Sequence, residues 1–178
     1  KQNYRSRAIF KFLEINEKHQ FLKNNLNIID LGAAPGSWSQ HTSKINKDGV
    51  NIALDLLDTK PINNCKIIKG DFTSDEVQNK LVNLVEGKKF DIVLSDIAEN
   101  STGNRSLDSM RSNIITLEVM KFSLKHLKKN GKILIKTFSG VGNEEVVDMA
   151  KKNFSKHIFI KPKSSRKDSK ELYLYCIL

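Results

Sequence analysis

Short apolar runs alternate along this chain with stretches in which hydrophobic residues recur every three or four positions. That alternation predicts βα units and a largely parallel sheet. Seven strand-like runs stand out, at residues 28–31, 51–55, 65–71, 90–95, 132–136, 157–160 and 172–177. Ahead of the first, residues 8–24 space Phe10, Leu13, Phe21 and Leu22 like one face of an amphipathic helix. Thr73 or Ser74 can cap a helix running towards Glu86, with Val77, Leu81, Leu84 and Val85 inward. Another helix is expected to start at Ser109 or Ser112, to bury Ile115, Val119, Phe122 and Leu127, and to stop just before Gly131. No helical pattern separates residue 160 from residue 172, so the last strand is expected to return antiparallel, as a hairpin over 157–178. The whole of 1–178 reads as one Rossmann-like, doubly wound α/β domain.

Size and composition agree with that reading. A chain of 178 residues with 39% apolar and 7% aromatic residues can bury an ordinary core. No apolar run nears the roughly 18 residues needed to cross a bilayer. Cys65 and Cys176 lie far apart and, with four histidines, offer neither a zinc pattern nor a disulfide framework, which points to a reducing compartment. The chain starts at Lys1 without methionine, so a trimmed leader is expected. Thirty Lys+Arg face twenty Asp+Glu, and the net charge of +10 predicts a polyanionic partner.

The candidate chemistry begins where the first strand ends. Asp30-Leu31-Gly32-Ala33-Ala34-Pro35-Gly36-Ser37-Trp38-Ser39-Gln40 lies between a strand and a helix, where open α/β sheets bind ligands. Its glycines are spaced GxxxG, and no Lys-Ser/Thr follows, so dinucleotide and P-loop phosphate sites are poor matches. Acids end the neighbouring strands: Asp30, Asp55, Asp71 and Asp96. A carboxylate after the second strand can accept from a ribose diol, and Asp71 from an adenine amino group, with Phe72 against the ring. Together they suit a nucleoside without phosphates.

These segments resemble the FtsJ-like (RrmJ-type) ribosomal RNA 2′-O-methyltransferases. The resemblance runs from Ser6-Arg7-Ala8-Ile9-Phe10-Lys11 through the glycine loop, Gly70-Asp71-Phe72, Ser95-Asp96-Ile97-Ala98 and Ile135-Lys136-Thr137-Phe138. It closes on Lys161-Pro162-Lys163-Ser164-Ser165-Arg166 and Ser169-Lys170-Glu171-Leu172-Tyr173. It implies S-adenosylmethionine as methyl donor, no metal, and a catalytic tetrad on Lys11, Asp96, Lys136 and Glu171. It places the cofactor on Gly32, Ala33, Pro35, Gly36, Ser37, Trp38, Asp55, Leu56, Asp71, Phe72 and Asp96. One departure stands at Glu99, where the family has proline; its charge is expected to loosen the wall beside the methyl group and to weaken RNA approach. The short link from Asp55 to Cys65 suggests a missing loop.

A ribose hydroxyl is a poor nucleophile at neutral pH, so the enzyme must align it with the donor and assist proton loss. Lys136 is the expected base or cation, Lys11 its like-charged neighbour, and Asp96 and Glu171 the groups that orient both. RNA binding needs a cationic track. Eight Lys/Arg lie between Lys151 and Lys170, with Arg5, Arg7 and Lys11 at the other end and Tyr4 available to stack on a base. The expected substrate is large-subunit ribosomal RNA, acted on by a monomer away from membranes, in the cytoplasm or an organelle such as the mitochondrion. The rivals are a transfer-RNA anticodon-loop 2′-O-methyltransferase and a non-catalytic RNA-binding ribosome-assembly factor.

Overall fold

A computed structural model describes residues 3–178. Among them five helices and seven strands follow one another as α1 (Ile9–His19), β1 (Asn27–Leu31), α2 (Ser37–Ile45), β2 (Val50–Asp55), β3 (Lys66–Lys69) and α3 (Asp75–Leu84). Then come β4 (Phe90–Ser95), α4 (Arg105–His126), β5 (Leu127–Phe138), α5 (Asn143–Asn153), β6 (Lys156–Ile160) and β7 (Glu171–Ile177). The strands form one sheet in the order β3-β2-β1-β4-β5-β7-β6. β7 lies antiparallel between β5 and β6, as the missing helix between the last two runs predicts.

Side chains alternate across a strand, and here the alternation divides the core in two. Ile29, Leu31, Val93, Ile133, Ile135 and Leu174 meet α3, α4 and α5 through Leu81, Val119, Met120, Val146 and Ala150. On the opposite face Ile28, Ile92, Leu94, Leu134, Tyr173 and Tyr175 meet α1 and α2 through Ile9, Phe12, Ile15 and Trp38. Each large apolar side chain fully buried this way contributes about 1.5–3 kcal/mol.

Helix boundaries depart from the sequence pattern for local reasons. α1 ends at His19 because Gln20 turns left-handed (φ 47°). Phe21 and Leu22 are still buried, beyond the turn, with the Leu22 amide donating to Asn16 Oδ1 at 3.0 Å. α4 starts at Arg105, capped by Asn104, whose side chain accepts from the amides of Ser106 and Leu107. Ser109 is instead inside the helix and donates to the Arg105 carbonyl (2.8 Å), a bond that competes with its use as a cap. The same helix stops at His126, and Gly131, expected just past its end, lies within the irregular start of β5. α5 is a helix for which the sequence pattern singles out no residues.

Candidate active site

β1 and β4 are neighbours in the sheet, but the helices that follow them pack on opposite faces, α2 with one half of the core and α4 with the other. A crevice opens between their C-terminal ends, the usual ligand position in such sheets. Gly32 turns the chain out of β1 at φ +70°, and a Cβ there would lie 2.1 Å from Ile97 Cγ1. Only glycine combines that conformation with so close a neighbour. Asp55 fastens the loop from β2: its Oδ2 accepts from the Ala34 amide and its Oδ1 from the Leu57 amide, each at 2.8 Å. Asp71 accepts from the Thr73 amide and hydroxyl through Oδ1.

The resulting cleft has a volume of about 290 Å³. Of the residues predicted from sequence, Gly32, Asp55, Leu56, Asp71, Phe72 and Asp96 line it, joined by Leu57, Ile97 and Ala98. Leu56 and Leu57, 65% and 68% exposed, form its apolar lip. The cleft therefore offers carboxylate acceptors, an aromatic face and an apolar rim, a combination that fits an adenosine-bearing ligand.

Five expected residues are not among those that line the cleft. Ala33 is buried, and its amide bonds the Leu54 carbonyl at 3.1 Å. Gly36 and Pro35 are held from outside by Arg5, whose guanidinium donates to the carbonyls of Pro35, Lys60 and Pro61. Ser37 Oγ pairs with Ser6 Oγ at 2.8 Å. Trp38, expected among the cofactor residues, is 2% exposed and packs on Phe12 and Tyr173, while its Nε1 donates to the Ala8 carbonyl. Its bulk is used to lock α1 beneath the loop, so the indole supports the cleft without lining it. Arg5, counted from sequence with the RNA track, is likewise committed to carbonyls. Two of those carbonyls, of Lys60 and Pro61, belong to the link over 56–65.

Across Asp96 lies a second cavity of about 640 Å³, lined by Arg7, Phe10, Lys11, Lys136, Arg166 and Glu171 among others. Asp96 borders both spaces. The four residues of the implied tetrad come together here from α1, β4, β5 and β7. Lys136 Nζ lies 3.1 Å from Asp96 Oδ1 and 3.7 Å from Glu171 Oε2. Lys11 Nζ donates to Glu171 Oε1. The Lys136 side chain reaches this point from inside the sheet, and the residue is only 9% exposed.

Burial pushes the Asp96 carboxyl above its ordinary range, against the pull of the Lys136 ammonium and the Tyr173 hydroxyl. Burial acts on Glu171 in the same sense, but Lys136 and Lys11 outweigh it and hold that carboxyl below its usual range. Behind the loop, burial pushes Asp30 up to about 7, with Asp96 and Asp55 adding to the effect and Ser39 opposing it. Ser39 Oγ donates to Asp30 Oδ2 at 2.7 Å. Among the described residues no group of three or more His, Cys, Asp or Glu side chains is arranged to hold a metal ion.

Sequence reasoning missed several supports. Tyr173, the register partner of Lys136, donates its hydroxyl to Asp96 Oδ1 (2.6 Å), with Glu171 Oε1 3.4 Å away. Its position two residues after Glu171 on one strand puts both on the same face, a period-two signal that was available. Asn113 of α4 is fully buried; it donates to the carbonyls of Phe138 and Val141 and accepts from Thr137 Oγ1 and the Phe138 amide. It thereby fixes the end of β5 just beyond Lys136, and no local pattern announces it. Glu99 lines neither cavity and faces Arg111 at 3.9 Å. Tyr4, expected to stack on a base, has its hydroxyl on His41 and Lys44 over its ring.

A Rossmann-like sheet with a crevice at its switch point, sharing one aspartate with a cavity that carries two lysines and two arginines, is an arrangement that suits a methyltransferase acting on RNA. The chain belongs to the FtsJ-like methyltransferase family, whose model matches residues 4–177. It is 46% identical over 175 residues to the ribosomal RNA large subunit methyltransferase E of Francisella tularensis, covering 98% of this chain and 85% of that protein. The Francisella philomiragia protein of the same name is 43% identical over the same length. The crystal structure of a ribosomal RNA methyltransferase from Plasmodium falciparum superposes with a TM-score of 0.88 at 33% identity, covering 98% of this chain and 97% of that one. A Streptococcus mutans methyltransferase in complex with SAH shares the fold at 17% identity, with a TM-score of 0.62.

Proposed function

We propose that this protein transfers a methyl group from S-adenosylmethionine to a ribose 2′-hydroxyl of large-subunit ribosomal RNA. The observation that carries this reading is the shared wall: Asp96 closes the nucleoside cleft on one side and meets Lys136 in the cationic cavity on the other. The donor supplies an already activated methyl group on sulfur, so the protein need only align the acceptor and manage its proton. Asp71 and Asp55 would accept from the adenine and ribose, Phe72 would cover the ring, and Gly32 would let the backbone pass close to the ligand.

On the acceptor side we assign this step to Lys136 Nζ, which takes the 2′-hydroxyl proton in its neutral amine form or, as the ammonium, stabilises the alkoxide that develops as the proton leaves to solvent. Asp96 and Glu171 hold Nζ from two directions, which leaves it little freedom to turn from the reacting oxygen. Lys11 is held by Glu171 and contributes a second positive charge to the cavity. Tyr173 keeps its proton, since burial and both carboxylates raise its pKa, and so serves as a fixed donor to Asp96. Arg7 and Arg166, on the same cavity, suit the phosphates flanking the target ribose.

The test is labelled methyl transfer to unmethylated large ribosomal subunits, transfer RNA and a capped transcript in parallel. Label is expected on a ribose of the large subunit, falling by roughly 10²–10⁴ in Lys136→Ala. Transfer to transfer RNA alone would overturn the substrate, and donor binding without transfer to any RNA would leave an assembly factor.

A further inference from the structure

The loop joining β6 to β7 carries Lys161, Lys163, Arg166, Lys167 and Lys170, yet its outer half is fastened by an anion. Glu14 of α1 accepts from the Lys163 amide through Oε1 at 2.6 Å. Its other oxygen accepts from the Ser164 amide at 3.2 Å and the Ser164 hydroxyl at 3.0 Å. Burial works against the charged carboxylate, but these donors and the Lys163 ammonium hold Glu14 net below its ordinary range. Elsewhere the loop is tied within itself or at its base. Lys161 Nζ donates to the Glu171 carbonyl (2.9 Å), Ser165 N to the Pro162 carbonyl and Ser169 N to the Arg166 carbonyl.

Glu14 follows Lys11 by three residues and so shares its face of α1. Lys11, Ser164 and Arg166 line the same cavity. A carboxylate this close to an RNA-binding surface opposes the attraction of phosphates, which makes a purely electrostatic role unfavourable. What it does supply is order. Charge-assisted bonds to two consecutive amides fix the backbone from which Ser164 and Arg166 project.

We propose that Glu14 is a positioning residue for RNA, holding residues 163–166 as a preformed outer wall of the acceptor cavity. The inference rests on the function proposed above and adds a residue through which that site is shaped. A loop ordered before encounter spares the RNA the entropy of fixing it, so the gain falls in RNA affinity and not in the chemical step.

The test compares Glu14→Ala, Glu14→Gln and Ser164→Ala in the full chain. Steady-state transfer to large-subunit RNA is measured alongside amide exchange of residues 163 and 164 without RNA. In Glu14→Ala the RNA KM is expected to rise about tenfold while kcat stays within about twofold and both amides exchange faster. Glu14→Gln, which keeps one carbonyl oxygen and the side-chain volume, is expected to fall between it and the wild type. Ser164→Ala, losing only the hydroxyl bond, should change least. Unchanged exchange rates, or a fall in kcat at constant KM, would overturn the clamp. Should the wild type transfer no methyl group, the proposed function fails, while the exchange rates still decide the clamp by themselves.

Discussion

On the donor side of Asp96 the walls are set mainly by backbone. Gly32 and the turns after β1, β2 and β3 define the space, and two of its carboxylates already accept from loop amides, Asp55 from Ala34 and Leu57 and Asp71 from Thr73. On the acceptor side the space is defined by long side chains that converge from four elements, with Lys11 and Glu171 separated by 160 residues in sequence. The first construction is local and stiff. The second depends on an exchange of charge among Lys11, Lys136, Asp96 and Glu171, and on a loop tied down by Glu14. On the function proposed above, one would bind a compact ligand in a preformed slot, and the other would admit a polyanion and release it.

If this contrast is right, the two sides fail differently. The largest effect is expected from Gly32→Ala. A Cβ at φ +70° and 2.1 Å from Ile97 Cγ1 must displace the β4 loop, which costs on the order of 2–4 kcal/mol in strain and overpacking. Thermal unfolding and calorimetric titration with S-adenosylhomocysteine should show lower stability and more than tenfold weaker binding. RNA affinity, measured by filter retention, should change far less.

Raising salt from 50 to 200 mM probes the other side. A few phosphate contacts from Arg7, Arg166 and the loop lysines imply a loss of roughly one to two decades in RNA affinity. Binding of the donor product should move little over the same range. Equal salt dependence for both ligands would erase the distinction.

A smaller effect concerns the buried acid behind the glycine loop. Asp30 is held near 7 against an ordinary value of 3.8. The folded chain therefore keeps this proton where the unfolded chain has lost it, so the Asp30 contribution to stability declines as pH rises from about 4 to about 7. Asp30→Asn removes the decline while retaining an acceptor for Ser39. Relative to wild type, the variant should gain on the order of 1–2 kcal/mol between pH 5 and pH 7 in urea unfolding. A flat difference would mean that Asp30 ionises normally in the folded chain.

The contrast also explains what the sequence made legible. The donor side follows from neighbours in the chain: a glycine turn after a strand, then acids at successive strand ends, so Gly32, Asp55, Asp71 and Asp96 can be picked out residue by residue. Lys136 is visible as a lysine closing an apolar strand. Its partnership with Lys11 and Glu171 arises only when β7 inserts between β5 and β6, and rested on family resemblance alone. A tryptophan in a ligand loop carries no sign of which way its ring turns; in the fold the Trp38 indole packs against Phe12 and Tyr173. Asn113 and Glu14 act through single polar contacts with distant backbone, which no periodicity records. Helix ends were misjudged where buried residues continue past a turn, as at Phe21, or where serines bond back within a helix, as at Ser109.

The most direct test of two cavities meeting at one aspartate is a double dissociation. Lys136→Ala and Asp71→Ala would each be titrated with S-adenosylhomocysteine and, separately, with large-subunit RNA. Lys136→Ala should bind the nucleoside like wild type while methyl transfer falls by roughly 10²–10⁴, and Asp71→Ala should lose nucleoside affinity while holding RNA. If either substitution weakens both ligands to the same extent, the donor and acceptor sites are not the separate constructions described here.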